Sequence, residues 1–308
     1  MSIQALLTDP TAEFGVTLGQ INDLVVARDQ VLVDNAAISL NYGETRRAKN
    51  KTEPAGTVLG WDTAGVVAAV GEEVSNVKPG DRVVTRNVTA GWAQQRLAHF
   101  DDVAIIPESV SFAQASTLPT AAVTAYLVLQ RFGTLLGKRI LVTGASGGVG
   151  RFAIQLAKLG GAQVVGSVGS DRYIDELVAL GADEIVIGAQ NASGHIDGVL
   201  ESVGGEELFA AFSVLGDGGL LQTIGAASGQ PTTFPGGSLL GSRTRTIVPH
   251  RSTEHRVARP LADLLELVAA DRLDLGIKWT GSWDRFDEAA DLLLGRRLAG
   301  KAVLEVAG

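Results

Sequence analysis

Residues Ala145-Ser146-Gly147-Gly148-Val149-Gly150 strip nearly every side chain from the backbone between two apolar runs, "RILVT" before and "RFAIQLAKLG" after. Backbone bared in this way can approach a bulky anion closely. The first run reads as a strand and the second as a helix, so the spacing matches G-x-G-x-x-G with Ala in the first place, the pattern that seats a pyrophosphate on a helix N-terminus. In this reading Gly147 opens backbone N–H groups, Gly150 lets the helix pack close to the strand, and the helix dipole favours negative charge. Gly148 and Val149 complete the cradle with Ala145 and Ser146. A shifted register, Gly148-x-Gly150-x-x-Ala153, fits the same template, and a glycine-rich turn that binds nothing is the competing reading.

Which dinucleotide such a turn would take depends on the end of the second strand, where a carboxylate receives the ribose hydroxyls of NAD. That stretch here is "VVGSVGSDR", with Val168 near the acid's place and no carboxylate before Asp171. Ser167, Ser170 and Arg172 instead offer hydrogen-bond donors and positive charge to a 2′-phosphate, which points to NADP(H). Arg172 as a solvated first-turn residue is the alternative.

The elements that must position these residues follow from length and texture. A chain of 308 residues predicts two domains. Up to about residue 115 it shows short strand-like runs such as "QVLVDNAAISL", "GVVAAV" and "DRVVTR" between turn signals, which reads as a β-rich domain. From 116 to about 250 helix and strand alternate, the pattern of a doubly wound parallel sheet, and residues 251–308 carry two helices and a last strand, "KAVLEVA". The expected class is therefore α/β. The loop "RRAKNKTEPAGT" shows neither helical nor strand pattern.

Composition closes several routes. The net charge is −8 without a Lys/Arg cluster, so neither nucleic acid nor an anionic membrane is expected as partner. No apolar run reaches the roughly 18 residues of a membrane span, and "MSIQALLTDP" lacks the features of a secretory leader, so a cytoplasmic location is expected. Cysteine is absent, which removes disulfides and thiolate-metal sites. His99, His195, His250 and His255 are scattered, and no metal is expected.

With these stretches in view, the chain resembles the medium-chain dehydrogenase/reductase superfamily, in its zinc-free quinone oxidoreductase branch. The likeness lies in "VLGWDTAGVVAAVGEEVSNVKPGDRV", "TLPTAAVTAYLVL", "ILVTGASGGVGRFAIQLAKLGGAQVV", "DGVLESVGG" and "GKAVLEV". It implies a GroES-like catalytic domain made from both chain ends, 1–115 and 251–308, with a Rossmann cofactor domain, 116–250, inserted between them. At the places of the catalytic zinc ligands of related enzymes stand Asn41, Trp61 and Thr120, none of which supplies thiolate or imidazole. The resemblance also places Thr120 and Thr124 near a nicotinamide and Asn41 and Tyr42 in the catalytic cleft. Asn41 is then a donor to a ribose hydroxyl or substrate oxygen, Tyr42 a phenolic donor, and Trp61 a substrate wall or the filler of the former metal pocket; each can equally be a cap or a packed aromatic. Val203, Ile224 and Gly225 follow the fourth and fifth strands, where a doubly wound sheet meets its ligand. Arg297 or Lys301 could reach cofactor phosphates, or belong to a solvated turn.

Without a Lewis acid, alcohol oxidation at neutral pH is difficult, whereas hydride addition to a quinone or α,β-unsaturated carbonyl needs only orientation and a donor at the oxygen. The expected chemistry is NADPH-dependent reduction of such a small molecule. Alternatives are a substrate-specific enoyl reductase in a biosynthetic route and a non-catalytic NADP(H)-binding sensor or structural protein. The strand "TRTIVP" predicts a sheet edge through which a homodimer could form.

Overall fold

The alternating run Gln30–Leu40 buries Val31, Val33 and Ile38 and makes the longest strand of the protein, around which one sheet is built. The structure is a computed structural model that describes residues 2–87, 89–240, 243–250 and 256–306. His255, and the stretch 251–255 where the second change of texture falls, lie outside the described residues. From the N-terminal side come β1 (Ile3–Thr8), β2 (Val16–Ile21), β3 (Gln30–Leu40), α1 (Tyr42–Lys49), β4 (Asp62–Val70), β5 (Arg82–Arg86), β6 (Gln95–His99), β7 (Val103–Ile105) and α2 (Phe112–Ser116). Next are α3 (Val123–Gln130), β8 (Arg139–Thr143), α4 (Gly148–Leu159), β9 (Gln163–Val168), α5 (Ile174–Ala179), β10 (Glu184–Ile187), β11 (Ile196–Glu201), α6 (Gly205–Val214), β12 (Leu215–Thr223) and β13 (Thr246–Pro249). Then follow α7 (Ala258–Ala269), β14 (Ile277–Ser282), α8 (Phe286–Leu294) and β15 (Lys301–Glu305).

The chain divides into two compact units. One joins the residues up to Val123 to those after 254; the other begins at Thr124 and runs to 254. In the first unit the order β14-β15-β3-β4-β5-β7 forms a sheet, with β6 also paired to β3. The last strand lies antiparallel to β3, with Ala302 opposite Leu40 and Leu304 opposite Ile38. Its apolar side chains share a core with Leu6, Leu59, Trp92, Trp283 and Phe286, the rings of Trp92 and Phe286 meeting edge to face at 4.9 Å. The second unit holds six parallel-paired strands in the order β10-β9-β8-β11-β12-β13. Its central strands read as continuous apolar runs because both faces are covered. The order reverses direction between β8 and β11, so the turn after β8 stands at the switch point where such sheets bind ligands.

Three local departures from the sequence reading have physical causes. Arg46–Lys49, within the stretch without pattern, belong to α1. That helix starts because the Glu44 carboxylate accepts the Asn41 backbone N–H at 3.0 Å, one arm of a capping box, which no periodicity reveals. The apolar spacing of "ASTLPTAAVTAYLVLQRF" is helical throughout, yet the stretch divides among the end of α2, a π-helical turn at Leu118–Ala122 and α3, as Pro119 removes an N–H from the ladder. Strand β14 was not foreseen; its sequence, "IKWTGS", alternates only weakly, and pairing with β15 makes it a strand. No described helix is long and apolar enough to cross a membrane.

Leu304 is fully buried although it lies nearly 270 residues from Ile38, its partner across the sheet. Truncating it as Leu304→Ala is expected to lower unfolding stability by about 3 kcal/mol, read by urea titration. An unchanged midpoint would mean that the last strand contributes nothing to the core.

Candidate active site

In the second unit the turn after β8 is shaped by steric exclusion. Gly144 has φ +60°, and a Cβ there would stand 2.5 Å from Ser202 Oγ, so this residue makes the tight turn. A Cβ on Gly150 would lie 2.5 Å from the Gly144 carbonyl oxygen and 2.7 Å from Ala145 Cα. Gly150 thus holds the close-packing position of the unshifted register. Ala145 is fully buried and donates its N–H to the Ser167 carbonyl at 3.1 Å, so it closes the turn instead of facing a ligand, a correction to its place in the cradle. Gly147 is the exposed N-cap of α4, and no side chain caps that helix. Ser146, Gly148 and Val149 are half-buried around it. Uncapped first-turn N–H groups behind bared backbone fit a pyrophosphate.

The neighbouring strand end divides the residues assigned to a 2′-phosphate. Ser167 is fully buried and its hydroxyl donates to Glu207, whose carboxylate also accepts the Ala189 N–H at 3.2 Å. Ser167 is therefore removed from the ligand set. A carboxylate does stand by the end of β9, supplied by α6 and engaged within the protein. Ser170 and Arg172 are exposed, beside open space at Gly169. Val203, Ile224 and Gly225 lie at the carboxyl ends of β11 and β12, with Val203 and Ile224 half-buried and Gly225 exposed. Thr124 is buried in α3 at 6% exposure.

In the first unit the residues at the three presumed ligand places come together, with Asp62 replacing its neighbour Trp61 at the centre. Asp62 Oδ2 accepts from Asn41 Nδ2 at 2.9 Å, and Oδ1 accepts the Thr120 hydroxyl at 2.5 Å. Lys301 Nζ donates to Asn41 Oδ1 at 2.8 Å and to the Leu40 carbonyl at 3.0 Å, and lies 3.7 Å from Asp62 Oδ2. Pairing of β15 with β3 brings it there, since Ala302 faces Leu40. Asn41 Nδ2 also donates to Glu44 Oε1 at 3.1 Å. Both amide hydrogens are thus consumed, and Asn41 has none for a substrate oxygen; it acts on its surroundings by holding Asp62. Lys301 is nearly fully buried, which corrects its reading as a phosphate contact or a solvated turn residue, and Arg297 bonds Asp291.

The Trp61 indole lies over Gly43, where a Cβ would come within 2.8 Å of the ring, and the Trp61 carbonyl accepts from Arg96 at 3.0 Å. It therefore packs α1 against the start of β4. The Tyr42 ring receives the Arg46 guanidinium at 5.6 Å.

This cluster is unusually charged for an interior. Burial, reinforced by the Asp62 charge, pushes the Glu44 carboxyl up to about 8, against the pull of Asn41 and Lys301. Burial likewise depresses the Lys301 ammonium, opposed by Asp62 and Glu44. Arg96, fully enclosed, falls to about 10 from the same desolvation. The set presents hydrogens and an ammonium where a metal would need lone pairs, so these residues do not fit a bound cation. Glu44 was missed as a site residue, and Lys301 was singled out for a different role; a lysine opening the apolar run "KAVLEV" was the available signal for its burial.

Two family models match: residues 27–128 fit one described as alcohol dehydrogenase GroES-like domain, and residues 148–269 one described as zinc-binding dehydrogenase. The chain belongs to the medium-chain dehydrogenase/reductase family. Among relatives of this dehydrogenase/reductase, the 2-methylene-furan-3-one reductase of Solanum lycopersicum is 36% identical over 224 residues, 67% of this chain and 57% of that protein. The chain thus spans little more than half of that relative. The solved quinone oxidoreductase of Coxiella burnetii superposes with TM-score 0.85 at 26% identity over 100% of both chains. The Escherichia coli quinone oxidoreductase complexed with NADPH shares the fold, with TM-score 0.84 at 22% identity over 99% of both.

Because Glu44 holds its proton more tightly in the folded protein than an ordinary glutamate does, the folded state is favoured at low pH, and this contribution is lost as pH rises from about 5 through 8. Denaturant titrations across that range are expected to show declining stability in the wild type and a flatter profile in Glu44→Gln. Parallel profiles would show that Glu44 ionises normally in the fold.

Proposed function

We propose that this protein is a metal-independent NADPH-dependent reductase of a quinone or an α,β-unsaturated ketone. What carries the reading is the uncapped N-terminus of α4 behind its glycine turn, together with exposed Ser170 and Arg172 one strand away. Ser146, Gly147, Gly148 and Val149 would receive the pyrophosphate, and Ser170 and Arg172 the 2′-phosphate. Bound there, a reduced nicotinamide supplies a hydride. Val203, Ile224 and Gly225 offer backbone at the strand ends where such a ligand lies. Support for the acceptor class comes from the first unit, where the cluster around Asp62 presents an ammonium and donors instead of metal ligands. Relatives named as a quinone oxidoreductase and as a reductase of a methylene-bearing furanone agree with it.

Tyr42 is the phenolic candidate near the substrate, while Asn41, Thr120 and Trp61 shape its surroundings. A homodimer is also proposed: β13 is the edge of the parallel sheet and Ile247 on it is 38% exposed, so a second copy could extend the sheet.

Nicotinamide absorbance followed with a panel of quinones and enones tests the reading. Consumption of NADPH in preference to NADH is expected, and equal use of both would refute the 2′-phosphate assignment. Arg172→Ala is expected to raise the KM for NADPH by about 10-fold, the scale of one charge-assisted hydrogen bond, and to leave the KM for NADH unchanged.

A further inference from the structure

Arg86, the last residue of β5, is only 8% exposed, yet among the described residues its side chain makes neither a hydrogen bond nor an ion pair. The neighbouring described cations Arg96 and Lys301 are engaged. Arg96 donates to the carbonyls of Trp61 and Thr89, at 3.0 and 2.9 Å, and Lys301 to Leu40 and Asn41. Arg86 stands directly opposite Asp62 in the antiparallel register, and side chains of such pairs share one face of the sheet. Asp62 is already taken by Asn41, Thr120 and Lys301. Asp62 and, less strongly, Asp102 attract the Arg86 charge without a hydrogen bond or ion pair, and Asp102 is itself held by the Val257 N–H and Arg256. The guanidinium nitrogens are not among the fully enclosed polar atoms, unlike Arg96 Nε.

A planar guanidinium without an acceptor of its own offers paired N–H groups to an oxygen. The face holds Arg86 and Lys301 against the single carboxylate of Asp62, with Glu44 favoured in its neutral form, which leaves an excess of positive charge. We propose that Arg86 is the oxyanion-binding group of the first unit, donating hydrogen bonds to the carbonyl oxygen of a conjugated acceptor. This rests on the reductase reading above. Hydride addition to the conjugated carbon forms a C–H bond and moves an electron pair onto that oxygen. The hydride comes from the reduced carrier, which is thereby oxidised, and solvent supplies the proton that completes the product. Arg86 stabilises the charge in the interval.

The test pairs turnover with a binding measurement that needs no turnover. Arg86→Gln is expected to lower kcat for the best quinone or enone by about 100-fold with NADPH affinity unchanged, and Arg86→Lys to fall between it and wild type. Independently, 4-nitrophenolate, a stable oxyanion, is expected to bind wild type with a shift in its absorption, and to bind Arg86→Gln at least about 10-fold more weakly. Arg86→Ala should regain activity on adding guanidinium chloride at millimolar concentration, which loss of a merely structural residue would not allow. Undiminished kcat in Arg86→Gln, or equal nitrophenolate binding by both proteins, overturns the proposal. If wild type consumes NADPH with no acceptor tried but binds nitrophenolate through Arg86, the reductase reading fails while the oxyanion site stands.

Discussion

The interaction on which the first unit depends is the buried ammonium of Lys301 between Asn41 Oδ1, the Leu40 carbonyl and the Asp62 carboxylate. A lone cation in an apolar interior is costly, and a buried carboxylate equally so; each is tolerated only because the other, with hydrogen bonds, is in place. Asn41 orients the group, since its carbonyl oxygen faces the ammonium and its two hydrogens face Asp62 and Glu44. Rotating that amide would oppose donor to donor and acceptor to acceptor. The node therefore ties the end of β3, the start of β4 and the start of β15 into one arrangement.

Burial of this network has electrostatic consequences. Burial, reinforced by the Asp62 charge, drives the neighbouring Glu44 toward its neutral form, which leaves Lys301 and Arg86 beside the one carboxylate of Asp62. Positive potential in a low-dielectric setting is what an acceptor needs when hydride addition places charge on its oxygen. At the places where the resemblance sets the zinc ligands of related enzymes, Asn41 and Thr120 here hold Asp62 by hydrogen bonds, with Lys301 beside them. In the second unit the turn after β8 bares backbone instead. Gly144 and Gly150 exclude side chains for steric reasons, and Gly147 leaves the α4 N-terminus uncapped.

The sequence carried different parts of this unequally. The strand, turn and helix around residues 139–160 were legible because each follows from local composition, and the parallel sheet followed from alternating periods. Ser167 was misjudged because a hydroxyl at a strand end looks like a ligand donor until α6 delivers Glu207 to it. Asn41 was recognised as important, but its role reversed once the destinations of its amide hydrogens were known. Helix α1 was hidden because its stability comes from Asn41 and Glu44 at its start, not from an apolar stripe.

By itself the sequence determined the glycine turn, the absence of cysteine ligands and the division into a β-rich and an alternating region, since these depend on residue type and on neighbours a few positions away. Only the tertiary structure decided that Lys301 belongs with Asn41 and Asp62, more than 230 residues distant, and that Arg86 stands opposite Asp62 with no side-chain hydrogen bond or ion pair among the described residues. The reason is that strand pairing between remote segments sets which charges share an interior, and no local pattern encodes which strand a given strand will meet.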